Sequence, residues 1–255
     1  MDKHKIKMIA IAAAVGVLLL AGVIVGVTTR PAPTVAQETE PPTEAPKSHM
    51  IDVVPATLQE TLKAGCETHA CTSLLQTLGY DIDEYRFADN YLECHYVIED
   101  EVTGEKFGPD MNSGFAGTAY AGWGIYAPAM AKCMNRYLAD AKSEQKAYVL
   151  ENKTLEDLCE EYIDNDIPVM VWATTDMQEP IEWDIWTVNY VDENAKYKEG
   201  ETFRWMYHEH CLVLCGYDKD YYYFSDSVVG GISHFAKELS EKRYEQLDSQ
   251  AIVVK

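Results

Sequence analysis

Gly65-Cys66-Glu67-Thr68-His69-Ala70-Cys71-Thr72-Ser73-Leu74-Leu75-Gln76-Thr77-Leu78-Gly79 is the stretch on which the reading of this 255-residue chain turns. Ala70, Cys71, Leu74, Leu75 and Leu78 recur at three- and four-residue steps, one face of an α-helix, and Gly79 is placed to end it. The spacing predicts a helix over Thr68–Leu78, with Gly65 to Thr68 as the turn leading into it. Cys66 therefore stands at a helix start. Free amide N–H groups and the helix dipole favour an anion there, which predicts a stabilised thiolate and a lowered pKa. A nucleophilic cysteine requires that. A buried structural thiol is the plainer alternative, and Cys71, on the apolar stripe, reads as core.

Working outward, Asp100 to Trp123 carries Gly104, Gly108, Gly114, Gly117 and Gly122 and reads as loop-rich. A second helix follows, with Pro128 near its first turn and Met130, Cys133, Met134, Tyr137 and Leu138 on one stripe. A third begins at Thr154, whose spacing to Asp157 resembles a capping box. Ile167–Trp172 and His210–Tyr217 are apolar runs rich in β formers. Tyr221–Phe224 follows the turn residues Asp218-Lys219-Asp220, which predicts a hairpin. Phe235–Leu247 reads as a short helix and Gln250–Val254 as a last strand. Helices first and an antiparallel sheet afterwards is an α+β order.

The other end of the chain has a different character. Met8–Val27 is twenty residues without a charge, long enough to cross a hydrocarbon core. Lys3, Lys5 and Lys7 precede it and Arg30 follows, so the positive-inside bias puts the domain outside the cell. A cleaved signal peptide, with Thr34-Val35-Ala36 near its end, is the alternative, and both readings export the domain. Pro31 to Lys47 is rich in Pro, Glu and Thr and cannot build a core. The expected organisation is a signal anchor at 1–30 (transmembrane at about 8–27), a spacer at 31–50 and one domain at 51–255.

The formal charge is −21, and its acid excess lies almost wholly beyond residue 50. Such a domain repels phosphate backbones, which excludes nucleic acid as an electrostatic partner. Cationic or neutral peptides would approach it more readily than acidic polymers. Seven cysteines on an exported chain form no CxxC pair, and the odd number leaves at least one thiol unpaired if the chain acts alone.

A thiolate nucleophile needs a base. His210 heads a strand with two apolar faces, where a titratable residue must have a partner or a task. With a three-residue turn, Tyr217 pairs with Tyr221 and position 210 faces 228. Asp226 is then the diagonal neighbour of His210 on the same face. Cys66, His210 and Asp226 together make the Cys–His–acid arrangement of a cysteine hydrolase. An oxyanion donor is also needed, and Gln59, seven residues before Cys66, can supply one beside the Cys66 backbone N–H. His208-Glu209-His210-Cys211 invites a metal reading, but on a strand 208 and 210 share one face and 209 and 211 the other, so the four cannot converge on one ion. No metal and no cofactor is expected. Trp123, Trp172, Trp183, Trp186 and Trp205 are candidates for a groove, or for the core.

Four segments, in order, carry a resemblance. Gly65-Cys66-Glu67 leads into Ser73-Leu74-Leu75-Gln76-x-Leu78-Gly79-Tyr80-Asp81. Then come Gly122-x-Gly124-Ile125-Tyr126-Ala127-Pro128, Pro168-Val169-x-Val171-Trp172-Ala173-Thr174 and His210-Cys211-Leu212-Val213-Leu214-x-Gly216-Tyr217-Asp218. Over nearly all of 51–255 the chain resembles the double-glycine-leader-type peptidases, in their stand-alone, secreted bacterial "family 39-like" form. The resemblance implies a papain-like fold, N-terminal helices packed on a C-terminal antiparallel sheet. It implies Cys66 as nucleophile, His210 as general base, Asp226 as orienting acid and Gln59 as oxyanion donor, acting on a peptide or protein substrate. The family usually has Asn-Asp-Pro around its acid, where this chain has Ser225-Asp226-Ser227. Two rival expectations stand beside an extracellular membrane-anchored peptidase. One is an inactive papain-like module that binds peptide or cell wall. The other is a cell-wall amidase or acyl-transferase using the same Cys–His pair.

Overall fold

The computed structural model describes residues 47–255. The expected transmembrane segment and most of the spacer lie outside these residues. Among the described residues, no helix is long and apolar enough to cross a membrane.

Helix α1 spans Cys66–Thr77, so Cys66 is already its first residue and not part of a preceding turn. It is buried from Cys66 through Leu75, all the way round its axis. Gly79 ends it at φ +89. The Gly79 N–H donates to Gln76 O and the Tyr80 N–H to Leu75 O, the paired bonds of a Schellman motif. Helices α2 (Glu84–Tyr91) and α3 (Ala127–Asp140) follow, α3 with Pro128 in its first turn. Helix α4 (Leu155–Glu161) opens on Thr154, whose side chain and that of Asp157 form the expected reciprocal capping box.

Seven strands form the main sheet. Its order is Gly231–Ala236, Tyr221–Asp226, Glu209–Tyr217, Val169–Thr174, Ala251–Val254, Ala147–Leu150, with His49–Met50 added beside the end of Glu209–Tyr217. All pairings within it are antiparallel. The chain order is less segregated than helices first and strands afterwards. Ala147–Leu150 lies between α3 and α4, and helix α5 (Lys237–Gln246) follows six of the seven strands. Phe235 belongs to a strand and not to that helix.

Both faces of the sheet are covered. Cys211, Val213, Trp172 and Ile252 pack with residues of α1 and α3, while Leu212, Leu214, Val171 and Val253 pack with α4 and Tyr244 of α5. The Glu209–Tyr217 strand is buried at every position. Burying each Leu or Val of this strand contributes about 1.5–3 kcal/mol, and the two-sided cover fixes its register.

The glycine-rich stretch also departs from expectation. Lys106–Pro109, Phe115–Thr118 and Ala121–Gly124 are strands in two smaller sheets. A Cβ on Gly117 would come within 2.5 Å of the Gly122 Cα, so these glycines permit close backbone approach within a hairpin. Glycine content therefore marked tight packing here, not loop.

The hairpin after Glu209–Tyr217 has a four-residue connection, not three: Tyr217 pairs with Tyr222. A bulge between Leu214 and Gly216 then absorbs one residue, and Val213 faces Ser225. Two differences from the simple hairpin cancel, and beyond the bulge the register is the one that sets His210 diagonal to Asp226.

Candidate active site

The start of α1 and the N-terminal end of the Glu209–Tyr217 strand meet at a cavity of about 670 Å³. Cys66, His210, Gln59 and Ser227 line it, with Trp123, Trp205 and Tyr207 as aromatic wall. Of the remaining tryptophans, Trp172 and Trp186 are core and Trp183 is exposed.

His210 is buried, and its Nε2 lies 2.9 Å from Asp226 Oδ1. The same oxygen accepts the Val228 N–H at 2.9 Å. Burial works to raise the Asp226 carboxyl, but the His210 hydrogen bond and charge and the Val228 N–H outweigh it, and the group lies below its ordinary value. Asp226 is therefore a carboxylate at neutral pH. It occupies Nε2 and leaves Nδ1 as the imidazole nitrogen for a proton from elsewhere. The Ser-Asp-Ser setting is used structurally. Ser225 Oγ accepts the Ala56 N–H and bonds Ser73 of α1 at 2.9 Å, and Ser227 Oγ donates to Gln59 Oε1 at 3.0 Å.

Gln59 is held at both ends, since its Nε2 also donates to Lys63 O at 2.8 Å. A carboxamide has a second N–H on the same nitrogen, and this one remains for another acceptor. The N–H groups of the first turn of α1, that of Cys66 among them, have no partner within the helix. His69, one turn further along α1, is tied to Thr57 Oγ1 through Nδ1 at 2.9 Å. Burial lowers its pKa, so it serves as a neutral, structural imidazole.

The thiol is where expectation and structure part. Cys66 is 7% exposed, and its Sγ donates to Glu67 Oε2 at 3.3 Å. Burial, the neighbouring Glu67 and Glu209 and the Cys211 thiol push its pKa well above 9, and a hydrogen bond from the Cys211 backbone only partly opposes them. The helix N-terminus predicted a lowered value. Desolvation and two carboxyls outweigh a dipole worth about 0.3–1 kcal/mol. Glu67 is itself pushed up to about 7, by burial against the lowering effect of the Ile125 N–H. Burial and Glu67 raise Glu209 well above the usual carboxylate range.

Glu67 and Glu209 are the site residues that sequence reasoning missed. Glu67 stood in the Gly-Cys-Glu segment without a role. In the sequence, Glu209 stands out only as part of a four-residue metal string. The alternation that set that string aside is the signal that could have found it, because it turns 209 and 211 together toward α1.

A family model described as "Peptidase_C39 like family" matches residues 50–252, which takes in the whole cavity. The chain belongs to this C39-like family. Among curated proteins it is similar to the uncharacterized protein YvpB of Bacillus subtilis (strain 168), at 25% identity over 195 residues, 74% of this chain and 68% of that protein. Among solved structures it is similar to a Bacillus anthracis chain assigned to the C39-like peptidases, with a TM-score of 0.66 and 24% identity over 82% of this chain and 98% of that one. That likeness shows a shared mixed helix-and-sheet fold, and family membership gives this chain a cysteine peptidase-like character.

Proposed function

We propose that the domain is a cysteine peptidase in which Cys66 is the nucleophile, His210 the general base, Asp226 the orienting acid and Gln59 an oxyanion donor. The observation that carries this reading is the buried His210–Asp226 pair at 2.9 Å, on the wall of the cavity that Cys66 and Gln59 also line. For attack, the thiol leaves Glu67 and passes its proton to His210 Nδ1. Sulfur then bonds to the scissile carbonyl carbon, and the oxyanion is met by the Gln59 and Cys66 N–H groups. His210 returns the proton to the leaving amine, and water hydrolyses the thioester by the same base. Asp226 holds the imidazole in one orientation and stabilises the imidazolium.

The setting is proposed to be extracellular, with Met8–Val27 as an uncleaved anchor. In spheroplasts, the domain should resist carbonate extraction and be accessible to added protease; protection from that protease would refute the orientation. A peptide library incubated with wild-type chain should show cleavage that Cys66→Ala abolishes, with the variant folded by circular dichroism. Cleavage that survives Cys66→Ala would refute the mechanism.

One observation favours a second reading, a peptide-binding module without turnover: the nucleophile is buried and bonded to Glu67, not to His210. That reading predicts peptide binding without cleavage.

A further inference from the structure

Cys66, Glu67 and Glu209 bring metal-ligating atoms together among the described residues, a sulfur or carboxylate oxygen from each lying within 4.8 Å of the others. Glu67 is fully buried and Glu209 is 9% exposed. Glu67 is oriented by the Ile125 N–H, which donates to its Oε1 at 2.7 Å, while Oε2 meets the thiol. Glu209 Oε1 is buried and has no hydrogen-bond partner. A Cβ on residue 124 would come within 2.4 Å of Glu67 Oε1 and 3.1 Å of Glu209 Oε2, so Gly124, at φ +131, keeps the space beside both carboxyls clear. Neither carboxyl takes part in any ion pair among the described residues.

Two buried carboxyls and a thiol without an ion-pair partner among the described residues must hold protons or a metal ion, because uncompensated charge is too costly in an interior. We propose that Cys66, Glu67 and Glu209 form a binding site for a borderline-soft divalent cation, Zn²⁺ before others, and that its occupation takes the Cys66 sulfur out of reaction. A thiolate with two carboxylate oxygens suits Zn²⁺, whereas Mg²⁺ and Ca²⁺ prefer oxygen alone. Three protein donors leave a fourth coordination position open toward the cavity that Cys66 and Glu209 line. Binding releases the thiol proton and any carboxyl proton to solvent, with no change of oxidation state. The Ile125 N–H is the outer contact that holds Glu67 in place. The cation site stands without the peptidase reading; the loss of turnover on binding rests on it.

The test uses the full-length protein in detergent, reduced and stripped with chelator, then titrated with Co²⁺. A sulfur-to-cobalt charge-transfer band with tetrahedral d–d absorption should saturate at one equivalent and be bleached by Zn²⁺. The band should vanish in Cys66→Ser, and the Kd should rise at least about tenfold in Glu209→Gln, since even outer-sphere changes cost 10–100-fold. Zn²⁺ should also slow iodoacetamide alkylation of Cys66, read by mass spectrometry on its own peptide, by about tenfold or more. The slowing should be lost in Glu209→Gln, with Glu67→Gln as the replacement if that variant fails to fold by circular dichroism. A band that persists in Cys66→Ser, a Zn²⁺ effect untouched by either glutamine variant, or no Zn²⁺ effect on wild-type alkylation would overturn the proposal. Cobalt binding as predicted, in a metal-free protein that never cleaves peptide, would refute the peptidase reading and leave the cation site standing.

Discussion

His210 and Cys66 line one cavity but are held in opposite electrostatic surroundings. The imidazole faces a carboxylate fixed at 2.9 Å and already ionised. The thiol faces two carboxyls that resist its negative charge and is buried as well. One half of the site holds an ionised carboxylate against an imidazole, and the other keeps its thiol protonated. A helix N-terminus alone therefore does not activate a cysteine. Whatever desolvates the sulfur and stands beside it outweighs the dipole. On the proposed mechanism, activation requires the thiol to exchange Glu67 for His210.

Removing the functional group of either half has the largest expected effect. Cys66→Ala should abolish peptide cleavage, and His210→Ala should lower kcat/KM by about 10²–10⁴, the usual worth of a general base. Equal cleavage by either variant and the wild type would dissolve the distinction between the halves. Removing the Gln59 carboxamide is expected to cost less. Gln59→Ala should lower kcat by about 10²–10³ if its free N–H meets the oxyanion. A rise in KM with kcat unchanged would instead make Gln59 a binding residue.

Asp226→Asn tests the base half alone. It should reduce kcat/KM by less than His210→Ala does, while leaving alkylation of Cys66 by iodoacetamide little changed, because the thiol is bonded to Glu67. A collapse of alkylation in Asp226→Asn would show the two halves already joined.

The smallest effect concerns the nucleophile half, in chelator-treated protein. Because the Cys66 pKa is raised above 9, its thiolate fraction at neutral pH is small. Alkylation should therefore rise about tenfold per pH unit through pH 7–9 without reaching a plateau. Glu67→Gln removes one raising influence, so alkylation at pH 7 should become faster and level off at lower pH than in wild type. A plateau below pH 8 in wild type would contradict the raised value.

The elements that carry the site were legible because their signals are local. The stripe from Ala70 to Leu78, the capping spacing Thr154–Asp157 and the turn residues 218–220 each lie within one element or one connection. The His210–Asp226 pairing was legible for a less secure reason, since the extra residue of the turn and the bulge near Cys215 compensate. What was not legible depends on contacts distant in sequence. Glu67 meets Glu209 only once α1 packs on the central strand, and the hairpin of Phe115–Thr118 and Ala121–Gly124 closes where Gly117 and Gly122 admit a neighbouring backbone. The Cys66 pKa follows the first of these, since no local pattern reports which side chains another element will bring to the sulfur.

The most direct test of the central claim, that the thiol and the His–Asp pair act as one site, is labelling with an acyloxymethyl ketone peptide probe. The adduct is mapped by mass spectrometry in wild type, Cys66→Ala and His210→Ala, each checked for folding by circular dichroism. An adduct should form on Cys66 in wild type and in neither variant. An adduct on another cysteine, or one on Cys66 that forms as fast in His210→Ala as in wild type, would contradict it.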